Sequence, residues 1–334
     1  MSTSKNNPSS HRLLLFFDQG LASTLASDLL LLLSQAGFDL RCRLAPGAER
    51  WLPAEPIRCL TGHQPVTGGP LPGWNAATGG GPVLGIAVVP DGTALALAGG
   101  APGVGFAAPG AGGEGSEAGE SFPWLVVTPG RATTGWAAGA AGRRVMGVMG
   151  LGDHPGGWAA RYEELFARVM RFLRHRQLAA GRPVAVQHLV PEALAGVSDQ
   201  PPGWVDDLRR HLAWLGFPAT VGPERGVALR FLTYGGPFPA PGRATGRRLA
   251  FSFQAAQVPP PPAGGLAVQF LTPATPAEEA QALASPGRLP VLRDGQGNLT
   301  VFEAAGPRLF PDLTDHPALL RLVEHLSEKP LTSA

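Results

Sequence analysis

Only two cysteines, Cys42 and Cys59, occur in 334 residues, which excludes a disulfide framework and a thiolate zinc site. Lysine is almost missing, since Lys5 and Lys329 are the only two. The 27 basic residues, nearly all arginine, are balanced by 25 acidic ones, and a net charge of +2 is too small to argue for a nucleic-acid partner. No apolar run is long enough to span a bilayer; the leucines at 29–33 belong to an amphipathic helix. The polar start, 1–11, is followed by an apolar run too short for a secretory leader and is expected to be disordered. These absences leave a soluble, cytoplasmic protein with no membrane span as the expectation. What the chain has in quantity is glycine and proline, 46 and 35 residues. They gather in stretches such as 67–81 and 99–120, read as long loops around folded segments that number enough for two domains.

The clearest local pattern lies at 12–52. Leu13-Leu14-Leu15-Phe16-Phe17 is short, apolar and uninterrupted, as a strand covered on both faces is. Asp18-Gln19-Gly20 makes a turn, and Leu21, Leu25, Leu29 and Leu32 then recur at helical spacing. Ala36-Gly37 stops that helix, and Leu40, Cys42 and Leu44 alternate with Arg41 and Arg43 as a strand does. Strand, helix, strand is a βαβ unit, whose first turn faces the ligand crevice of such sheets. Further strands are expected at 83–89, 123–127 and 145–151. A helix is expected at 158–173, with Trp158, Tyr162, Leu165, Phe166, Val169 and Leu173 on one face.

The order of strand, small-residue turn, leucine helix, alternating strand and Pro46-Gly47-Ala48-Glu49-Arg50-Trp51-Leu52 resembles the homo-oligomeric flavin-containing cysteine decarboxylases. Within them it is most similar to the bifunctional phosphopantothenoylcysteine decarboxylase/phosphopantothenate–cysteine ligases of coenzyme A synthesis. Leu60-Thr61-Gly62, Pro90-Asp91-Gly92-Thr93-Ala94 and the stretch from Pro129 to Trp136 stand where that family has Leu-Ser-Gly, Pro-Ala-Thr-Ala-Asn and Pro-Ala-Met-Asn followed by Met-Trp. The resemblance implies a doubly wound, flavoprotein-like parallel sheet over 12–178. A smaller Rossmann-like, ligase-like α/β domain would follow over 179–328, with 329–334 as a tail. It implies FMN as cofactor, held here by Gly20, Ser23, Thr24, Pro46 and Thr93 if it is retained, and self-association.

The residues that carry the family's chemistry have changed. The substrate-holding asparagine falls at Ala132, whose methyl makes no hydrogen bond. The family's histidine falls near Ala76, which leaves His63, about a dozen residues earlier, as the weak catalytic candidate. Asp18 adds negative charge where a phosphate would sit, and Gln19 replaces a glycine of the cradle.

In the second half, a strand at 182–187 runs into Gln187-His188-Leu189-Val190-Pro191 instead of the ligase's Thr-Ala-Gly-Gly-Thr nucleotide loop, so no nucleotide is expected. Trp204, Leu208, Leu212 and Leu215 mark a helix stopped by Gly216, 219–221 a returning strand, 289–302 a hairpin and 317–326 a last helix. Asp153-His154 and Asp315-His316 read as turns or caps, and Arg168, Arg171, Arg174 and Arg176 as a solvated helix face. No metal site is expected. The expectation is a degenerate paralogue that keeps the fold and serves as a binding or assembly component. Its alternative is an active FMN-dependent decarboxylase of phosphopantothenoylcysteine or peptidyl cysteine with rearranged residues.

Overall fold

The computed structural model describes residues 11–18, 22–67, 82–89, 122–128, 145–150, 157–180, 182, 184–191, 203–217, 229–234, 266–271, 273, 275–313 and 316–329. The chain divides into two compact units, Met1–Met170 with Thr314–His316, and Arg171–Leu313 with Pro317–Ala334. The dividing point falls inside a helix, ahead of the expected boundary at 178. Phe172, Leu173 and Ala179 are buried, so the last turns of that helix are core rather than linker.

The first unit contains β1 (Arg12–Phe17), α1 (Ala22–Gln35), β2 (Asp39–Leu44), a 3₁₀ turn (Ala48–Arg50), α2 (Ala54–Thr61), β3 (Leu84–Val88), β4 (Trp124–Thr128), β5 (Val145–Gly150) and the start of α3 (Gly157–Ala179). Its sheet is five-stranded and wholly parallel, in the order β2-β1-β3-β4-β5. The chain moves from β1 to one side for β2 and to the other for β3, so the order reverses beside β1. Every residue from Leu13 to Phe17 is buried, as the unbroken apolar run requires. At Gly85 a Cβ would overlap the indole of Trp124, its register partner on β4, so glycine lets the large ring lie flat on the sheet.

Two local details go beyond the periodic pattern. Among the described side chains of α1, Ala26, Leu29, Leu30 and Leu33 are buried, whereas Leu32 is half-buried and Leu31 is exposed; in an all-leucine run, spacing alone does not select the face. On β2, Arg43 is buried although alternation turns it away from Leu40, Cys42 and Leu44. The cause is that β2 is not an open edge. Val66 bridges to it, accepting from the Leu44 N–H at 2.9 Å and donating to the Cys42 carbonyl at 3.0 Å. The helix stop at Gly37 is as expected. Its φ of 82° lets its own N–H reach the Ser34 carbonyl at 2.9 Å, and the Phe38 N–H turns back to Leu33.

The second unit holds β6 (Val184–Pro191), α4 (Gly203–Trp214), β7 (Leu229–Tyr234), β8 (Leu266–Leu271), α5 (Ala277–Leu283), β9 (Arg288–Arg293), β10 (Leu299–Glu303), β11 (Gly306–Phe310) and α6 (Ala318–Glu328). Its six strands run in the order β11-β10-β9-β8-β6-β7; β7, β6, β8 and β9 are parallel and β10 and β11 antiparallel. The expected hairpin is β9–β10. Its turn is fixed by Asp294, whose carboxylate accepts the N–H groups of Gln296 and Asn298, both at 2.9 Å. β6 continues through Pro191, paired with β7, beyond the 182–187 at which the sequence begins it. The proposed strand at 219–221, the glycine-rich stretches at 68–81 and 99–120, and the Asp153-His154 pair lie outside the described residues. Trp214 is buried and fills core, and the half-buried Trp204 packs on Phe270 with ring centres 4.2 Å apart.

Candidate functional site

In a parallel sheet whose strand order reverses, ligands enter at the carboxyl ends of the strands beside the reversal. Here that is the gap between β1 and β3, and Asp18 is the first residue past β1. Its N–H donates to the Val88 carbonyl at 3.1 Å, which ties this residue to β3, and Asp18 is half-buried. On the other side the Ala45 N–H donates to the Phe17 carbonyl at 2.9 Å, and Pro46 follows, exposed. Ser23 and Thr24 lie in the first turn of α1, and only their backbone is described. Gly20, Thr93, Ala76 and Ala132 lie outside the described residues. Of the β1 turn only Asp18 is described, and its side chain is acidic, the charge that repels a phosphate group.

His63 is elsewhere. It follows α2, where the Thr61 hydroxyl donates to the Ile57 carbonyl at 2.9 Å and accepts the His63 N–H at 3.1 Å. Its Nε2 lies 3.5 Å from a carboxylate oxygen of Asp39, the first residue of β2. Asp39 and Leu44 are separated by five residue steps, about 17 Å at 3.3 Å each. His63 thus sits at the amino ends of the strands, away from the crevice, and the structure does not bring it to Asp18.

The other groups of ionisable side chains are in the second unit, and the sequence reading missed them. Glu303 on β10 accepts from His325 Nε2 and, at 2.6 Å, from Lys329 Nζ. The Arg308 guanidinium donates to His325 Nδ1 at 3.4 Å and lies over the Phe310 ring, 5.3 Å from its centre. With an acceptor at Nε2 and a donor at Nδ1, His325 is the neutral tautomer protonated at Nε2. Burial holds its pKa below the ordinary histidine value, Lys329 and Arg308 add to that, and Glu303 opposes it. For Glu303 burial acts upward, but the hydrogen bonds from Lys329 and His325 outweigh it and hold the carboxyl below its usual range.

A second buried histidine, His175 on α3, sits 2.8 Å from the Ser327 hydroxyl. That hydroxyl gives its proton to the Glu324 carbonyl at 2.6 Å, so it accepts from His175 Nδ1–H. Ser327 is fully buried and its proton is committed, which makes the pair structural and not a nucleophile with its base. His211 is pushed down to about 3 by burial, with Arg210 adding. The signal that would have found the Glu303 group is the i, i+4 spacing of His325 and Lys329 at the end of an otherwise apolar helix face.

Arg176 is not on a solvated face. It donates to the Trp214 carbonyl, closing the carboxyl end of α4. Arg161 and Arg168 both bind Glu164, at 2.7 and 2.8 Å. Among the described residues no group of His, Cys, Asp and Glu is placed to hold a metal, and no helix is long and apolar enough to cross a membrane. No protein-family model matches the chain, and no curated protein matches it. The resemblance read from 12–52 therefore rests on residue pattern alone.

Proposed function

We propose that this chain is a flavoprotein-like relative of the coenzyme A biosynthesis enzymes that has lost the flavin-dependent reaction. It serves as a cytoplasmic binding or assembly component through self-association or contact with another protein. The observation that carries the reading is Asp18. A carboxylate at the carboxyl end of β1, beside the reversal in strand order, places negative charge where a flavin phosphate would enter. A surface role is supported by Trp51, which stands 62% exposed at the end of the 3₁₀ turn, since large exposed aromatics are characteristic anchors of protein contacts.

The second reading is an active FMN-dependent cysteine decarboxylase with rearranged residues. One observation favours it: the order β2-β1-β3-β4-β5 is that of flavodoxin-like sheets, which bind FMN at the same reversal.

Titration of the full chain with FMN, followed by quenching of flavin fluorescence, separates the two. The first reading expects no saturation up to about 1 mM, where association is worth only about 4 kcal/mol. Saturable micromolar binding, with release of carbon dioxide from a cysteine-terminated substrate, establishes the second.

A further inference from the structure

His325 is held from two sides by groups of opposite charge, and only one of them suits a protonated ring. Glu303 on β10 accepts from Nε2, and Lys329, just past the end of α6, holds the other oxygen of that carboxylate at 2.6 Å. On the far side Arg308 of β11 donates to Nδ1 at 3.4 Å, with its guanidinium over the Phe310 ring. A guanidinium carries donors only, so that contact exists only while Nδ1 keeps its lone pair. Glu303, Lys329 and Arg308 are the charged groups that act on the imidazole. Arg321, one turn earlier on α6, is turned to the Pro311 carbonyl. Among the described residues Arg308 has no carboxylate partner; its contacts are the imidazole and the Phe310 ring.

A proton taken up at Nδ1 changes the two sides unequally. Toward Glu303 the hydrogen bond becomes an ion pair. Burial acts upward on the Glu303 carboxyl, but Lys329 and His325 hold it below its usual range, so it is ionised when the ring takes its proton. Toward Arg308 an N–H then faces N–H groups and one cation faces another, with no carboxylate between them. Burial keeps His325 neutral to below the ordinary histidine value, so the contact with Arg308 is closed at neutral pH.

We infer that Arg308 and His325 form an acid-released latch that ties the edge strand β11 to α6. β11 ends its sheet and pairs with β10 alone, with Arg308 at the middle of the strand opposite Val301. Once the latch opens, Arg308 turns to solvent. β11 is then held by its ladder to β10 and by the buried Phe310 ring, which packs 5.5 Å from the imidazole. The release is local to this strand and leaves the Glu303 side of the group in place.

The test is amide hydrogen exchange of the full chain from about pH 7.5 to about pH 4.5, corrected for the intrinsic pH dependence of exchange. Imidazole proton shifts follow the His325 titration in the same samples. As His325 takes up its proton, β11 should lose about threefold or more of its protection beyond what Arg308→Gln loses, the scale of one hydrogen bond. The glutamine amide donates to the neutral ring and turns its oxygen to the protonated one, so it has nothing to release. Arg308→Lys, again a cation with donors only, should behave as the parent does. Protection in β8 and β9 should fall equally in all three chains. Arg308 is exposed, so both variants are expected to fold. The inference is overturned if Arg308→Gln loses as much protection in β11 as the parent, or if Arg308→Lys keeps it as Arg308→Gln does.

Discussion

The two units carry their ionisable groups in different places. In the first, the centre of the sheet is apolar from Leu13 to Phe17 and across β3 and β4, and charge collects at the strand ends, with Asp18 at one and the Asp39 group at the other. In the second, three histidines, His175, His211 and His325, are buried among α3, α4 and α6. The first arrangement keeps charge out of the centre of the sheet. The second makes neutral imidazoles part of the packing, so its stability is tied to pH. That difference also indicates which unit a given change should harm.

The largest expected effect comes from the core of the second unit. Phe270→Ala removes a ring stacked on Trp204 in β8 and is expected to cost about 3–5 kcal/mol. Hydrogen exchange should accelerate in β6–β9 while β1–β5 keep their protection. Equal loss in both sheets would mean that the two units unfold as one.

Acid comes next. All three buried histidines have folded-state pKa values below the ordinary 6.5, so the unfolded chain binds protons that the folded chain refuses. For His175 burial is the first cause, with Arg171 and Arg174 adding and Glu324 and Glu328 opposing. Their contribution is complete above pH 6.5 and is lost as pH falls below it. The loss is up to about 1.4 kcal/mol per pH unit for each histidine that stays neutral. For His211 it continues toward about 3. Glu164 and Glu303, held below 4.5, lose their contributions only at more acidic pH. Between pH 6.5 and 4.5 denaturant unfolding should therefore weaken the second unit selectively. His211→Phe should flatten that dependence.

Glu303→Gln is expected to cost about 1–2 kcal/mol, because Lys329 and His325 lose a charged acceptor that is still partly open to solvent. It should also lower the His325 pKa further, since Glu303 is what opposes the downward shift. Imidazole proton shifts followed against pH give that value directly, and a rise would contradict the arrangement. The smallest effect belongs to Arg58→Ala in α2. Its partner Glu55 is also exposed, so the melting temperature should not move measurably.

Much of the fold was legible in the sequence where one force dominated. Leu13–Phe17 has to be a doubly covered strand, Gly37 has to stop α1, and Asp294-Gly295 has to turn a hairpin. Leu229–Tyr234 and Leu266–Leu271 were missed because short strands among glycine and proline carry no period of their own; pairing with β6 makes them strands. β11 was missed for the same reason, since Pro307 and Arg308 interrupt its apolar pattern.

The site was less legible. His63 was identifiable as a residue type, but its position depended on the segment after α2 returning to the amino end of β2, a tertiary outcome. The i, i+4 spacing of His325 and Lys329 marks only one side of the Glu303 group; Glu303 itself lies 22 and 26 positions away, a tertiary outcome.

The central claim is that the first sheet keeps the packing of a flavoprotein-like fold without its cofactor. The most direct measurement is the visible absorption spectrum of the purified full chain, before and after incubation with excess FMN and gel filtration. The account predicts a colourless protein in both cases. A retained flavin band comigrating with the protein would contradict it.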